Sequence, residues 1–588
     1  MKFKYFLIAV FFYTCSNVSA QRVIDVAIYG AKPGTFEDAA VAVQKAIEAV
    51  TGNDSVVLYF AKGRYDFWPT QAVEKNYFIS NTSSEKECPS KLKKIGLLFE
   101  NKHRLLIEGN GAEFIFHGKM ITFAFDHCDN IKLQNLSIDF ERPTMSELTF
   151  VSCNDSIIVA DVHPDSKFNI VDNRLQFYGD GWVMQQYHAI LVKPLEGTMF
   201  YSSWEPFLKS NAARLKDNRV EFKGNFAGNN FHPGEVLTVR DPIRDHVGAF
   251  INQSENVALH NVSIHYMHGL GIVSQFSKNL RYDSVLITPS HGRQISCFAD
   301  AMHFSGCSGN ILIENCHYSG LHDDPLNVHG THLQVTDILS PTSIKVRFMH
   351  DQTYGFNAFF PKDTVGFVHS ASLQTFGYGK LSNAKLINER EMELELDKAI
   401  PSGLKKGDCI ENITCTPTLT VRGCVFEKTN TRGLLVTTRK KVVIENNLFY
   451  RTGMHAILIA DDATSWYESG PVKDVTIRNN RFVECGYNSL PDSYSINIAP
   501  ENHQRITGYY VHSNIRIENN IFEVFALPVL AARSTNGLVF TGNKIIKTDF
   551  MPAKVNSSMK AFKLADCISV RADKNKYVNM SSQPIQTE

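Results

Sequence analysis

From Arg104 onward the chain keeps returning to one phrase: a Gly or Asn punctuation, then apolar-x-apolar, then Asn or Gly, then a second short apolar run. It reads Asn130-Ile131-Lys132-Leu133-Gln134-Asn135-Leu136-Ser137-Ile138, returns at Asn256 to Ile264 and at Asn310 to Cys316, and ends in double asparagines at Asn446-Asn447, Asn479-Asn480 and Asn519-Asn520. Alternation over such short runs predicts strands with one buried face. Recurrence every ~20 to 30 residues predicts a solenoid. Asn at equivalent turns tolerates the left-handed conformation and can hydrogen-bond along the stack, as in a parallel β-helix. A propeller would need a longer period and a hairpin turn in every blade, which the phrase does not show.

A solenoid needs its ends covered. Within Asp38 to Val50, the residues Val43, Ala46, Ile47 and Val50 form one apolar face of a short helix, preceded by a strand and turn at Val26 to Gly34. This opening resembles the amino-terminal cap of pectin-lyase-like right-handed β-helices. Two stretches break the rhythm. Residues 144–247 carry strand patterns at Ser156 to Val162, Val183 to Val192, Arg219 to Phe222 and Glu235 to Val239. Residues 330–412 carry them at Ser343 to Phe348, Thr364 to His369 and Met392 to Leu396. Each is long enough for a small β-barrel or sandwich, and too long for a structureless loop inside an ordered stack. The expected fold is therefore all-β: a right-handed parallel β-helix over 21–143, 248–329 and 413–588, with two inserted barrels.

The 588 residues carry 60 basic and 60 acidic side chains, which makes nucleic acid and anionic membrane surfaces poor partners. Residues 1–20 place Lys2 and Lys4 before the apolar run Phe6 to Tyr13, then Val18-Ser19-Ala20 before Gln21. That is the layout of a secretory signal, so a mature protein beginning near Gln21 is expected in the periplasm or outside the cell. The run is too short to span a bilayer, and no later segment is long and apolar enough. Lipidation at Cys15 is the other reading, with Tyr13-Thr14 a poor lead-in. Eleven cysteines from Cys88 to Cys567 lack zinc-site spacing and read as small buried hydrophobes, with one or two disulfides left open.

The chemistry concentrates in Leu321-His322-Asp323-Asp324-Pro325-Leu326-Asn327-Val328-His329-Gly330, with Asp300 lying 23 residues before Asp323. An Asp-Asp pair alone is usually solvated surface. In a coil of that period, however, Asp300 falls one strand away, about 4.8 Å in backbone terms. Asp300-Ala301-Met302-His303-Phe304 mirrors Asp324-Pro325-Leu326-Asn327-Val328, although the phrase leaves open whether Asp300 lies under Asp323 or Asp324. Aligning the later coils places Thr431 and Met454 over Asp323, and Arg432 and His455 over Asp324. Both insertions leave the helix near this patch, which predicts a pocket rather than an open groove. His303, His322, Asn327 and His329 are expected around it, with Asp139, Glu141 and Arg142 at its lower edge. Trp204 is either barrel core or a sugar-stacking platform, and Asp461-Asp462 reads as a solvated turn.

Clustered carboxylates repel, so at least one should keep its proton near neutral pH. A protonated acid beside ionised bases is what glycoside hydrolysis requires. Calcium ligation is the competing reading of the three acids and would indicate a polysaccharide lyase. A glycan-binding β-helix without turnover is another.

Asp300 followed by Asp323-Asp324 resembles the three-aspartate arrangement of polygalacturonase-type inverting hydrolases, without their Gly-His turn and Arg-x-Lys element. The whole mature chain is more similar to the glycoside hydrolase family 110 α-1,3-galactosidases. It shares stretches like Phe298-Ala299-Asp300 and Leu321 to Gly330, and the order of a secreted β-helix with two inserted barrels. The resemblance implies exo-removal of terminal α-1,3-linked galactose with inversion from branched blood-group-B-type glycans, with linear α-1,3-galactosides left open as further substrates. It implies Asp323 as general acid, with Asp300 and Asp324 holding and deprotonating water, an exchange of these roles remaining open. His322, Asn327, His329, His303, Arg432, His455, Arg142 and Trp204 are the expected sugar contacts, and the chemistry calls for no metal or cofactor.

Overall fold

The computed structural model describes residues 21–580 apart from 53, 203–209, 490–492 and 552–560, together with 586–587. The signal-like segment 1–20 and Trp204 therefore lie outside the described residues. The helix Ala40–Glu48 buries Val43, Ala46 and Ile47 at the amino-terminal end of the stack, and Val50 is buried just beyond it. Behind it, parallel strands pair coil on coil: Leu105 with Ile131, Ile131 with Val257, and Val257 with Leu280.

In the later coils length varies while register does not, because the turns carry the difference. Asn446, Asn479 and Asn519 adopt left-handed φ angles of 57°, 56° and 56°. The asparagine after each points inward and builds a buried ladder. Asn447 Nδ2 donates to Asn480 Oδ1 at 2.9 Å, Asn480 to Asn520 at 3.0 Å, and Asn520 to Asn543 at 3.0 Å, across sequence steps of 33, 40 and 23 residues. Each also donates to a strand carbonyl, so both amide hydrogens are satisfied without water. A second ladder stacks Tyr318, Phe426, Phe449, Phe482 and Phe522 with centroids 4.7–5.2 Å apart and planes within 10°. The eleven cysteines of the described chain are all free thiols, and most are buried.

The first interruption forms a seven-stranded antiparallel sheet between Ser146–Cys153 and Val236–Arg240, with a three-stranded sheet beside it. The continuous strand expected over Val183 to Val192 is split into Trp182–Val183 and His188–Lys193. The second interruption does not start from a loop. The strand Leu326–Ile338 pairs in parallel with Met302–Ser305 and Leu434–Val436 at its start, then antiparallel with Ser343–Arg347 and Cys409–Asn412 at its end. One strand thus belongs to both the helix and the barrel, which fixes the barrel against the column carrying the acids.

Candidate active site

Strand register sets the acids. Met302 pairs with Leu326 and His303 with Asn327, and Ala301 N–H donates to the Asp324 carbonyl at 3.0 Å, so Asp300 lies under Asp324 rather than Asp323. In the next coil Leu326 pairs with Leu434, which brings Arg432 over Asp324. The contact is bidentate: Arg432 Nε donates to Asp324 Oδ1 at 3.0 Å and Nη2 to Oδ2 at 2.6 Å, and the Arg432 backbone N–H donates to Oδ1 at 3.1 Å. Asp323 lies between two guanidiniums, with Arg244 Nη1 at 3.8 Å and Arg432 Nη2 at 3.9 Å. Its side chain is 27% exposed, against 6% for Asp300 and 1% for Asp324.

These three carboxylates line one cavity of roughly 270 Å³. The helix supplies one wall through His303, Asn327, Leu435 and Leu458, which follow one another in register. The opposite side comes from Asn81, Arg244, Glu501 and the segment holding Asp462, Trp466 and Glu468. Asp462 folds that segment by accepting from the backbone N–H groups of Thr464, Ser465, Trp466 and Tyr467. Trp466 stacks on His350 of the second insertion at 4.1 Å, and Asn81 Nδ2 donates to Glu468 at 2.8 Å. Arg244, just beyond the last strand of the first insertion, donates to Gln352 of the second at 2.8 Å. The insertions thus act mainly as buttresses that hold the cavity wall in place.

Several expected residues lie elsewhere. His322 is buried away from the cavity, Nε2 to Thr238 Oγ1 of the first insertion at 2.7 Å, because the chain bends between the strands ending at Leu321 and starting at Leu326. His455 sits in the column above Arg432, as the coil alignment requires, but its Nδ1 faces the Tyr494 carbonyl at 3.0 Å and its Nε2 faces Asn497 at 3.1 Å. His329 does not line the cavity, and touches it through His303, Nε2 to Nε2 at 2.8 Å. Arg142 donates to the Pro164 carbonyl of the first insertion, Glu141 pairs with Arg64, and Asp139 is bound by Arg293, so none of the three lines the cavity. Asp461 and Asp462 are buried rather than a solvated turn: Asp461 accepts from Gly470 N–H, and Asp462 lines the cavity. Arg244, Asn81, Trp466, Glu468 and Glu501 were not anticipated, for they have no periodic relation to the acids. Asn81 and Glu468 are 387 residues apart.

Burial dominates the electrostatics. It raises Asp300 well above the usual carboxylate range, aided by the Asp323 charge and opposed by Arg244 and Arg432. It pushes Asp324 up to about 7, with Arg432 pulling it down and Asp323 and Asp300 adding to the rise. His303 is lowered to about 3 by burial and the adjacent His329. The cluster therefore holds protons near neutrality that separated carboxylates would have lost.

Among the described residues, two groups bring three atoms of metal-binding type within 4.8 Å: Asp245, His246 and His268, and His303, His329 and Glu468. In the first, Asp245 also faces Lys119 at 2.9 Å, and a cation already occupies that side. In the second, the two imidazoles hydrogen-bond each other.

Three acids line one polar cavity on a parallel β-helix, and comparison with known proteins identifies the class as a glycoside hydrolase. Residues 146–237 match GLAA-B beta-barrel domain I, 343–410 match GLAA-B beta-barrel domain II, and 408–569 match a right handed beta helix region. The chain is 44% identical over 95% of its length, and 92% of the relative, to Alpha-1,3-galactosidase A of Bacteroides fragilis. It is 38% identical, over 95% of this chain and 92% of the relative, to Alpha-1,3-galactosidase B of Bacteroides thetaiotaomicron. The protein belongs to the bacterial α-1,3-galactosidases of glycoside hydrolase family 110.

Proposed function

We propose that this protein is an exo-acting, inverting α-1,3-galactosidase that removes terminal α-1,3-linked galactose from branched blood-group-B-type glycans and from linear α-1,3-galactosides. The observation that carries this reading is the cavity: at roughly 270 Å³ it falls just below the usual range of ligand pockets, ~300–1,000 Å³, and suits one terminal sugar ring rather than a polymer chain. Asn327 Oδ1 is buried with no partner among the described residues, an acceptor free for a sugar hydroxyl.

Asp323 is the general acid, since it is the most open of the three and reaches the leaving oxygen. Asp300 and Asp324, stacked on adjacent coils, hold the water that attacks from the other face. The exchanged assignment has one observation behind it, the burial that raises Asp300 and Asp324. An aryl α-galactoside with a good leaving group separates the two, because its departure needs no acid. Asp323→Asn should recover activity on that substrate while Asp300→Asn and Asp324→Asn stay inactive, and the reverse pattern exchanges the roles.

Release of galactose from branched B trisaccharide and from linear α-1,3-galactobiose tests the substrate range, with turnover of both expected. No galactose from either would overturn the reading. A hydrolase of this kind keeps full activity in chelator and forms no ultraviolet-absorbing unsaturated product, whereas a calcium-dependent lyase does the opposite. The signal-like leader favours an activity outside the cytoplasm, in the periplasm or secreted, which fractionation of the producing cells tests.

A further inference from the structure

The base role given to Asp300 meets an obstacle, because a carboxyl that burial keeps protonated has no room for the proton of water. The hydrogen bonds behind it remove that obstacle. A backbone carbonyl only accepts, so at 2.7 Å from the Gly330 carbonyl, His329 Nδ1 must carry hydrogen. One proton then lies between His329 Nε2 and His303 Nε2, 2.8 Å apart, and one between His303 Nδ1 and Asp300 Oδ2, also 2.8 Å apart. With both imidazoles neutral, only one arrangement satisfies all three contacts: His303 donates from Nε2 to His329, and Asp300 donates from Oδ2 to His303.

We propose that Asp300, His303 and His329 form a proton relay, in which Asp300 takes a proton from the attacking water at one oxygen while passing its own along the two imidazoles. The inference rests on the reading of Asp300 as part of the catalytic base. As the water O–H bond breaks, hydrogen bonds to Asp300 Oδ1 and the water oxygen attacks the anomeric carbon. Asp300 Oδ2–H breaks as His303 Nδ1–H forms, and His303 Nε2–H breaks as His329 Nε2–H forms. The positive charge ends on His329, where Glu468 Oε1 stands 3.7 Å away as counter-charge. After product leaves, the transfers reverse and Asp300 releases the proton from Oδ1 to water entering the cavity.

The charged groups facing this line are Asp323 and Asp324 of the next coil, Arg432 beyond them, Arg244 at the exit of the first insertion, and Glu468 of the opposing wall. His303 and Asp300 are both buried, and burial that lowers His303 and raises Asp300 sets the resting proton on the carboxyl. His303 and His329 are positioning residues in this account, acting through Asp300.

The test is the pH profile of kcat and KM for His303→Gln and His329→Gln, with Asp300→Asn alongside. In His303→Gln, kcat at neutral pH should fall about 100-fold with KM little changed. Activity should return only where Asp300 ionises directly, so the acidic limb of kcat moves up by about one pH unit or more. His329→Gln should shift the limb the same way by less, and it keeps the test available should the first variant fold poorly. A rate plotted against the fraction of heavy water should curve in the wild type, where several protons move together, and become linear in His303→Gln. Inactive Asp300→Asn together with unshifted profiles in both histidine variants would contradict the relay while leaving the base. An active Asp300→Asn would overturn the base assignment and the relay with it.

Discussion

The coils around residues 442–575 and those around 297–329 are built from the same repeat and differ in what they stack. In the later coils like is placed on like: asparagine donates to asparagine, ring lies on ring, and both amide hydrogens of each inner asparagine find a protein acceptor. In the earlier coils the stacked positions hold the buried carboxyls of Asp300 and Asp324, covered from the next coil by the half-buried Arg432. Burying charge is costly unless every partner is present, so stability in the later coils is spread over many equivalent contacts, while in the earlier ones it depends on a few. Departure from the repeat therefore marks the site.

The largest effect that would break this contrast is on activity alone. Asp323→Asn should lower kcat/KM for a terminal α-galactoside on the order of 10³- to 10⁴-fold with an unchanged thermal midpoint, read by steady-state kinetics and calorimetry. Next comes a pair of arginines. Arg432→Met strands the buried Asp324 carboxylate and should cost about 3–5 kcal/mol in denaturant unfolding as well as activity. Arg478→Met removes a solvent-facing pair with Glu445 in the later coils and should cost at most ~1 kcal/mol with kinetics unchanged. Equal losses would show that the two regions do not differ. Within the ladder, Asn480→Leu leaves Asn447 and Asn520 each short of a partner and should cost ~1–3 kcal/mol while turnover persists.

The smallest effect concerns pH. His512, buried in the later coils, is lowered to about 3 by burial and nearby cations, below the ~6.5 of an unfolded histidine. The unfolded chain then binds the extra proton, so this contribution is present above pH ~6.5 and is lost as pH falls toward 3. His512→Gln should reduce the drop in unfolding free energy between pH 7 and pH 5 by ~1–2 kcal/mol without altering activity.

What the sequence disclosed follows from what the repeat encodes. Counting coils set Arg432 over Asp324, and the double asparagines announced both the left-handed turn and the ladder behind it, while the choice of Asp324 over Asp323 as the partner of Asp300 came only from the pairing of Met302 with Leu326. His322 adjoins Asp323 in sequence, yet the chain bends there between two strands and turns the imidazole to Thr238 of the first insertion, so adjacency to the acids was the wrong criterion. Arg244, Trp466 and Asn81 were out of reach because they arrive by closure between distant segments, the Asn81 to Glu468 bond spanning 387 residues. Asp462 was misjudged since a short acidic turn looks the same whether it faces solvent or caps a wall from inside.

In the proposed mechanism Asp323 and the Asp300–Asp324 pair act from opposite faces of one terminal galactose, with water as the only nucleophile. Proton NMR of the sugar released in the first minutes of hydrolysis tests it most directly. β-Galactose appearing first, followed by slow mutarotation, is the predicted result, and α-galactose appearing first would require a covalent intermediate on one of the aspartates and would contradict the account.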